Sequence, residues 1–353
     1  MVKHEDKVRI YIGTYTKTGS KGIYTLTLDN LNGKLEDLKV AGELDNPTYI
    51  TLDSKNNRLF AVTKEGDNGG VASFSINKET GELTFINSQV SPGAPACHVS
   101  MNNDKDYLFS ANYHTGEVRS YSVNESGVLS DPISVKIHEG SGPNKDRQEK
   151  AHVHYVELTP DEKNLFAVDL GIDKVVSYSV NNGSLVYDSE NTIALPAGAG
   201  PRHLTFHPSM NFAYLLSELS SEVFVLEKCS DDNSYKIKQK VSALPDDFEG
   251  ESIGAAIHLS PDGKFLYTSN RGHDSIAVFS VDTHSGEIEL KATTSVAGKG
   301  PRDFDLDPTG KFVVVANQDT DNLTLFSRDI VSGLLTKLEQ EVSIPTPVCV
   351  KFL

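Results

Sequence analysis

The sequence predicts an all-β chain, a seven-bladed β-propeller of four-stranded antiparallel blades. Three observations predict it. One phrase recurs along the chain: a Pro or small residue, a short strand, a polar turn, an apolar strand, then a polar loop. Within each copy, polar and apolar residues alternate at period two, the mark of half-buried strands. The chain ends carry the pieces of one further copy, so the ring is expected to close by pairing the N-terminal strands with the C-terminal strand.

Six complete copies open at Pro47, Pro95, Ala151, Pro201, Gly254 and Pro301. Their spacing, roughly 50 residues, suits propeller blades. The turn before the fourth strand carries Gly81, Gly127, Gly183, Gly286 or Gly333. Glycine there supplies the positive φ of a hairpin with a bulge. The copy from Pro201 lacks it and reads CSDDNSYKIK instead. The seventh copy is split: Pro347-VCVKFL matches a copy's start, while Arg9-IYIGTYT and Gly22-IYTLTLDNLNGKLE, with Gly33 at the turn, match the rest. Joining them removes an open sheet edge. The expected layout is one domain, 1–353, with blades at about 46–93, 94–150, 151–199, 200–253, 254–299, 300–346, and 9–45 joined with 347–353. Two long connections, 138–150 and 245–253, are candidate lids.

Composition narrows the function classes. No apolar run approaches the ~20 residues of a membrane helix. The N-terminal Met1-VKHEDK is charged and shows no secretion signal. Cys97, Cys229 and Cys349 are odd in number and far apart, which fits a reducing cytoplasm and gives no metal spacing. The formal net charge of -16 disfavours nucleic acid and anionic membranes as partners, but leaves room for a local basic pocket.

A repeat allows equivalent positions to be compared. Pro160, Pro208, Pro261 and Pro308 anchor the comparison. Just before them, at the start of the innermost strand, stand Thr48, Cys97, His154, Arg202, Ala255 and Arg302. Just after the second strand stand Lys64, Tyr113, Leu170, Glu218, Arg271 and Gln318. In an antiparallel blade both slots lie at one end of the channel, so His154, Arg202, Arg302, Glu218 and Arg271 are expected around one mouth. Folding alone would keep these slots alike; instead they hold unlike charges. Channel-facing arginines must be hydrated, paired or bound to an anion, and Arg suits carboxylate or phosphate. A structural salt bridge from Arg202 or Arg271 to Glu218 is the plain alternative.

Alternation puts His152 and His154 on one strand face. No ligand-spaced partners accompany them, so no metal is expected. Histidine also suits acid–base work near neutral pH. Asn112, Asn270 and Asn317 precede the second slot in three blades, and His203 adjoins the first. Arg302, His152, His203, Asn270 and Asn317 are the expected substrate-binding residues. Gly250-ESIG matches the string of a nucleophile elbow, but it ends an acidic loop rather than a strand–turn–helix. Cys97 lacks an activating partner, and packing explains it better.

Several stretches together resemble the lactonase family of seven-bladed propellers: the N-terminal IGTYT, A-HVHYVELTPDEK, GPRHLTFHP, the LSEL loop, SPDGKFLYTSNRGHDSIAVF and GKGPRDFDLDPTG. The resemblance spans essentially the whole chain. It implies 6-phosphogluconolactonase or carboxymuconate cycloisomerase chemistry on an anionic lactone or its open acid, with no cofactor. The family's His, two Arg and Glu fall on His154, Arg202, Arg271 and Glu218, which are also slot residues. The expected catalytic set is therefore Glu218, His154, Arg271 and Arg202. Glu218 would activate water and His154 protonate the leaving oxygen, or the two would exchange roles. The arginines would hold the anion and stabilise developing charge. Lactone hydrolysis is the favoured reading; a cycloisomerase and a non-catalytic binding platform stand beside it.

Overall fold

A small sheet whose second strand is buried on consecutive residues, as Arg58–Glu65 and Phe212–Ser217 are, must cover both faces, and a ring gives every sheet two neighbours. The computed structural model describes residues 7–209, 211–230 and 234–353. It contains seven four-stranded antiparallel sheets. Six are built from consecutive strands: blade 1 within 50–92, blade 2 within 98–137, blade 3 within 153–194, blade 4 within 201–242, blade 5 within 253–295 and blade 6 within 301–343. Among the described residues no helix is long and apolar enough to cross a membrane.

Blade 7 closes the ring as the sequence predicts. Its innermost strand is Pro347–Phe352, followed outward by Lys7–Thr14, Gly22–Asp29 and Lys34–Glu43. The seam pairs Ile10 with Phe352 and Ile12 with Val350. Ile10, Ile12 and Val350 are fully buried. Each such side chain is worth ~1.5–3 kcal/mol relative to exposure. The core lies between blades: Phe212, Tyr214 and Leu216 of blade 4 pack on Leu266, Ala277 and Phe279 of blade 5.

The turn glycines serve two needs at once. Gly286 and Gly333 adopt φ of 72° and 74°. An added Cβ at either would press into an aromatic ring of the preceding blade, Phe212 or Phe265. The close approach lets Tyr214 and Tyr267 donate their hydroxyls to the Gly286 and Gly333 carbonyls, at 3.0 and 2.8 Å. Tyr11 reaches Gly81 at 3.0 Å, and Ser73 and Ser120 reach Gly127 and Gly183. Each of these five turns is therefore latched by the preceding blade.

Blade 2 departs from the pattern. After Gly127 there is a single bridge, Val123 to Leu129, and the outer strand is only Ser134–Ile137. The charged segment 1–6 lies outside the described residues, as do Met210 and Asp231–Asn233 in the glycine-free turn of blade 4.

One irregularity positions the site. The inner strand slips register between Val153 and Tyr155, Pro201 and His203, Gly254 and Ile257, and Pro301 and Asp303. A bulge leaves a residue unpaired and re-aims its side chain. The unpaired residues include His154, Arg202 and Arg302, the residues of the first slot.

Candidate active site

The two slots meet as the repeat predicts. A cavity of about 730 Å³ opens at one end of the channel, lined by Thr48, Cys97, His154 and Arg302 from the first slot. From the second slot come Lys64, Tyr113, Glu218 and Arg271. Ala255, Leu170 and Gln318 do not line it. Bulges deliver His154 and Arg302, Thr48 and Cys97 lie just before Ile50–Asp53 and His98–Met101, and strand ends deliver the second set: Glu218 directly follows Phe212–Ser217, and Arg271 ends Phe265–Arg271.

Glu218 is the electrostatic centre. Its Oε2 accepts Arg202 Nε at 2.9 Å and meets Arg271 Nη2 at 2.9 Å, and its Oε1 accepts Arg147 Nη2. Burial alone would raise this carboxyl; Arg271 and Arg202 outweigh it and hold Glu218 well below the usual carboxylate range. Glu218 is thus a firmly ionised anion. Burial pulls Arg202 down to about 9, helped by Arg271 and Arg302, which still leaves it charged at neutral pH. Arg202 itself does not line the cavity. It sits behind Glu218 and also donates to the Ala255 carbonyl.

His154 is the neutral group of the set. Burial, then the Arg202 charge, push its imidazole well below the ordinary value, while Glu218 acts in the opposite sense. Its Nδ1 is buried without a hydrogen-bond partner. Arg302 also lines the cavity, with its guanidinium 5.7 Å from the centre of the Tyr15 ring.

Other expected site residues stand elsewhere. His152 does not line the cavity. Its Nδ1 donates to the Tyr113 carbonyl at 2.7 Å, its Nε2 lies 3.1 Å from both Glu149 oxygens, and its ring stacks on Tyr113 at 4.2 Å. Simple alternation fails because the bulge intervenes between it and the rest of the strand. His203 lines a second cavity, of about 360 Å³, whose other residues include Tyr49, His98, Glu157, His258 and Lys351. The His203 and His154 rings meet edge-on at 5.2 Å, one lining each cavity. Asn270 braces its strand end through the Ala243 carbonyl at 2.8 Å, and Asn317 does so through Thr324 at 3.2 Å. Burial pushes the Cys97 thiol up to about 11, which makes it inert at neutral pH. Ser252 donates to the Arg271 carbonyl at 3.2 Å. Among the described residues no cluster of three or more His, Cys, Asp or Glu could hold a metal ion.

Several residues of the cavity escaped the sequence reading, among them Tyr15 and Arg147. Tyr15 lines the cavity from blade 7. Thr14 pairs with Pro347 as Asn317 pairs with Pro301, so extending the second slot to the split blade would have found it. Arg147 comes from the connection 138–150, outside the repeat, where comparison of copies has nothing to compare. That connection is no loose flap. Its ends are pinned by His138 to Asp169 at 2.7 Å and by Gln148 to Leu170 and Asp173, each at 2.8 Å.

Comparison with known proteins settles the family. Residues 9–352 match the family described as lactonase, 7-bladed beta-propeller. The chain belongs to the lactonase family. A Bacillus subtilis protein named 6-phosphogluconolactonase is 47% identical, over 97% of each chain. The periplasmic gluconolactonase of Pseudomonas aeruginosa is 33% identical, with a TM-score of 0.93 over 98% of this chain and 99% of that one. A Lactobacillus plantarum protein of known structure is 41% identical, with the same TM-score over 98% and 99%. This lactonase therefore acts on a small lactone. Arginines, one ionised carboxylate and one neutral imidazole at a channel mouth are groups able to orient water and stabilise an oxyanion.

Proposed function

We propose that this lactonase hydrolyses an anionic sugar lactone, 6-phosphogluconolactone, to the open acid at the Glu218–His154 mouth. One observation carries the reading. Among the described residues, Lys64, Arg147, Arg271 and Arg302 line the cavity, and Arg202 stands behind it, against only Glu218 and Asp67. Five cations facing two carboxylates leave an excess of three, in a chain whose formal net charge is -16. Such an excess suits a phosphate dianion together with the charge that develops on a carbonyl oxygen. The name of the Bacillus relative points the same way.

The roles follow from the protonation states. His154, being neutral, accepts a proton from water as the oxygen bonds to the lactone carbonyl carbon. Glu218 stabilises the imidazolium so formed. Arg271 and Arg302 stabilise the tetrahedral oxyanion. When the intermediate collapses, the ring C–O bond breaks and His154 returns its proton to the leaving alkoxide. Arg202 is a positioning residue that fixes Glu218. The exchanged assignment of the two acid–base groups is favoured because three guanidiniums make Glu218 a poor base. The unit is taken to be the whole chain, 1–353, as one domain. A reducing cytoplasm, suited to its three free thiols, is its proposed compartment.

The test is ring opening of fresh 6-phosphogluconolactone by metal-stripped protein, against the spontaneous rate and against Arg271→Ala. Acceleration lost in the variant is expected. No acceleration by folded wild type would remove this substrate and move weight to another lactone or to the cycloisomerase.

A further inference from the structure

The arginines around Glu218 are not equivalent. Arg202 is sealed, with a side chain 2% exposed, and its guanidinium is occupied by Glu218, Ala255 and His203. Arg271 is 13% exposed, and it is tied to the Gly254 carbonyl as well as to Glu218. Both arise from the repeat, on the rigid ends of propeller strands. Arg147 is 36% exposed and comes from the inserted connection. It reaches Glu218 from the solvent side and lies close to the Tyr113 hydroxyl. It is the partner of Glu218 that can turn to another anion with the least disturbance of packing.

The insertion holds this side chain in place without burying it. Asn144 Oδ1 accepts the Asp146 and Arg147 amides at 3.1 and 3.2 Å, closing a tight turn beneath it. Gln148, the next residue, is fully buried. The backbone at Arg147 is therefore fixed while its guanidinium borders the cavity. A group so placed can exchange one carboxylate for a substrate anion without moving the loop.

We propose that Arg147 is the residue that determines specificity for an anionic substituent remote from the lactone carbonyl. The inference rests on the preceding reading of the cavity as the site of a phosphorylated sugar lactone. In the free enzyme, Glu218 holds one arm of the Arg147 fork, Nη2. The arriving phosphate takes that fork in its place, and Glu218 is left to Arg202 and Arg271. The substrate anion is read by the insertion, and the lactone ring is left to the residues of the repeat. A neutral sugar lactone has nothing to offer Arg147 and leaves it on Glu218.

The experiment compares kcat/KM for 6-phosphogluconolactone and for neutral glucono-δ-lactone in wild type, Arg147→Gln and Arg147→Lys. Wild type should prefer the phosphorylated lactone. In Arg147→Gln that preference should shrink roughly 10- to 100-fold, the worth of one charge-assisted, bidentate contact. Most of the loss for the phosphorylated substrate should sit in KM. Arg147→Lys should recover part of the preference, because it keeps the charge and loses the fork. Inhibition by inorganic phosphate, measured with the neutral lactone, should weaken in the same order. A preference that survives in Arg147→Gln, or equal losses on both substrates, would overturn the inference and leave the function proposed above intact. Wild type that accelerates both lactones without preference would likewise overturn the inference, whereas wild type that accelerates neither would overturn the function proposed above.

Discussion

Arg202 and Glu218 meet at 2.9 Å, Nε to Oε2, with side chains 2% and 4% exposed. The pair sits where two slots of one blade converge, so the fold itself brings it together. Arg202 also donates Nη1 to His203 Nε2 at 3.2 Å. One guanidinium thus touches the carboxylate of one mouth and an imidazole that lines the other.

Replacing the carboxylate should cost more than activity. Glu218→Gln leaves three guanidiniums facing a neutral amide. Removing one partner from a buried ionic cluster costs about 3 kcal/mol or more. Urea unfolding should show that loss, and millimolar phosphate should restore stability to the variant more than it stabilises wild type.

His154→Gln should fold and lose turnover by a factor of about 10²–10⁴, the usual worth of a positioned acid–base group. Burial holds the His154 pKa well below 6.5. In wild type, the acid limb of the kcat/KM profile should therefore lie below pH 6.5. An acid limb at or above that pH would assign the base to another group.

The second cavity supplies a test by pH. Burial pushes the Glu157 carboxyl up to about 7, opposed by its bond from the Tyr155 hydroxyl. A pKa raised above its unfolded value of 4.5 favours folding at low pH, and that contribution is lost as pH rises through 7. Glu157→Gln cannot ionise. It should match wild type near pH 4.5 and gain about 2–3 kcal/mol on it by pH 8. Denaturant midpoints at both pH values check the sign.

Deleting residues 347–353 should remove the innermost strand of blade 7. Val348, Cys349 and Val350 are buried there, and the loss of Val348 and Val350 alone removes about 3–6 kcal/mol. The exposed edge of Lys7–Thr14 would then be free to pair with other chains. Size-exclusion chromatography should show oligomers or aggregate instead of the wild-type peak.

The ring, its closure and most of its mouth were legible because a repeat exposes departures from itself. His154, Glu218, Arg271 and Arg302 were found as unlike residues in like positions. His152 misled because period-two alternation does not hold across the bulge between Val153 and Tyr155. Asn270 and Asn317 misled for the opposite reason: their slot is regular, and they brace strands. Arg147 was illegible because its connection has no counterpart in the other copies, and only the folded chain shows where it returns. Whether arginines or burial control Glu218 depends on distances, which no spacing in the sequence encodes.

The latches between blades bear on how the molecule comes apart. In an open array of repeats, the end units have one neighbour each and can fray first. Here Tyr11 of blade 7 grips Gly81 of blade 1, so the blade built from both chain ends is latched to its neighbour as the blades at Gly127, Gly183, Gly286 and Gly333 are. The arrangement behaves as a hoop: no unit is terminal, and loosening any one withdraws support from both sides. The protein should therefore melt in a single cooperative step, with the slowest-exchanging amides spread around the whole circumference.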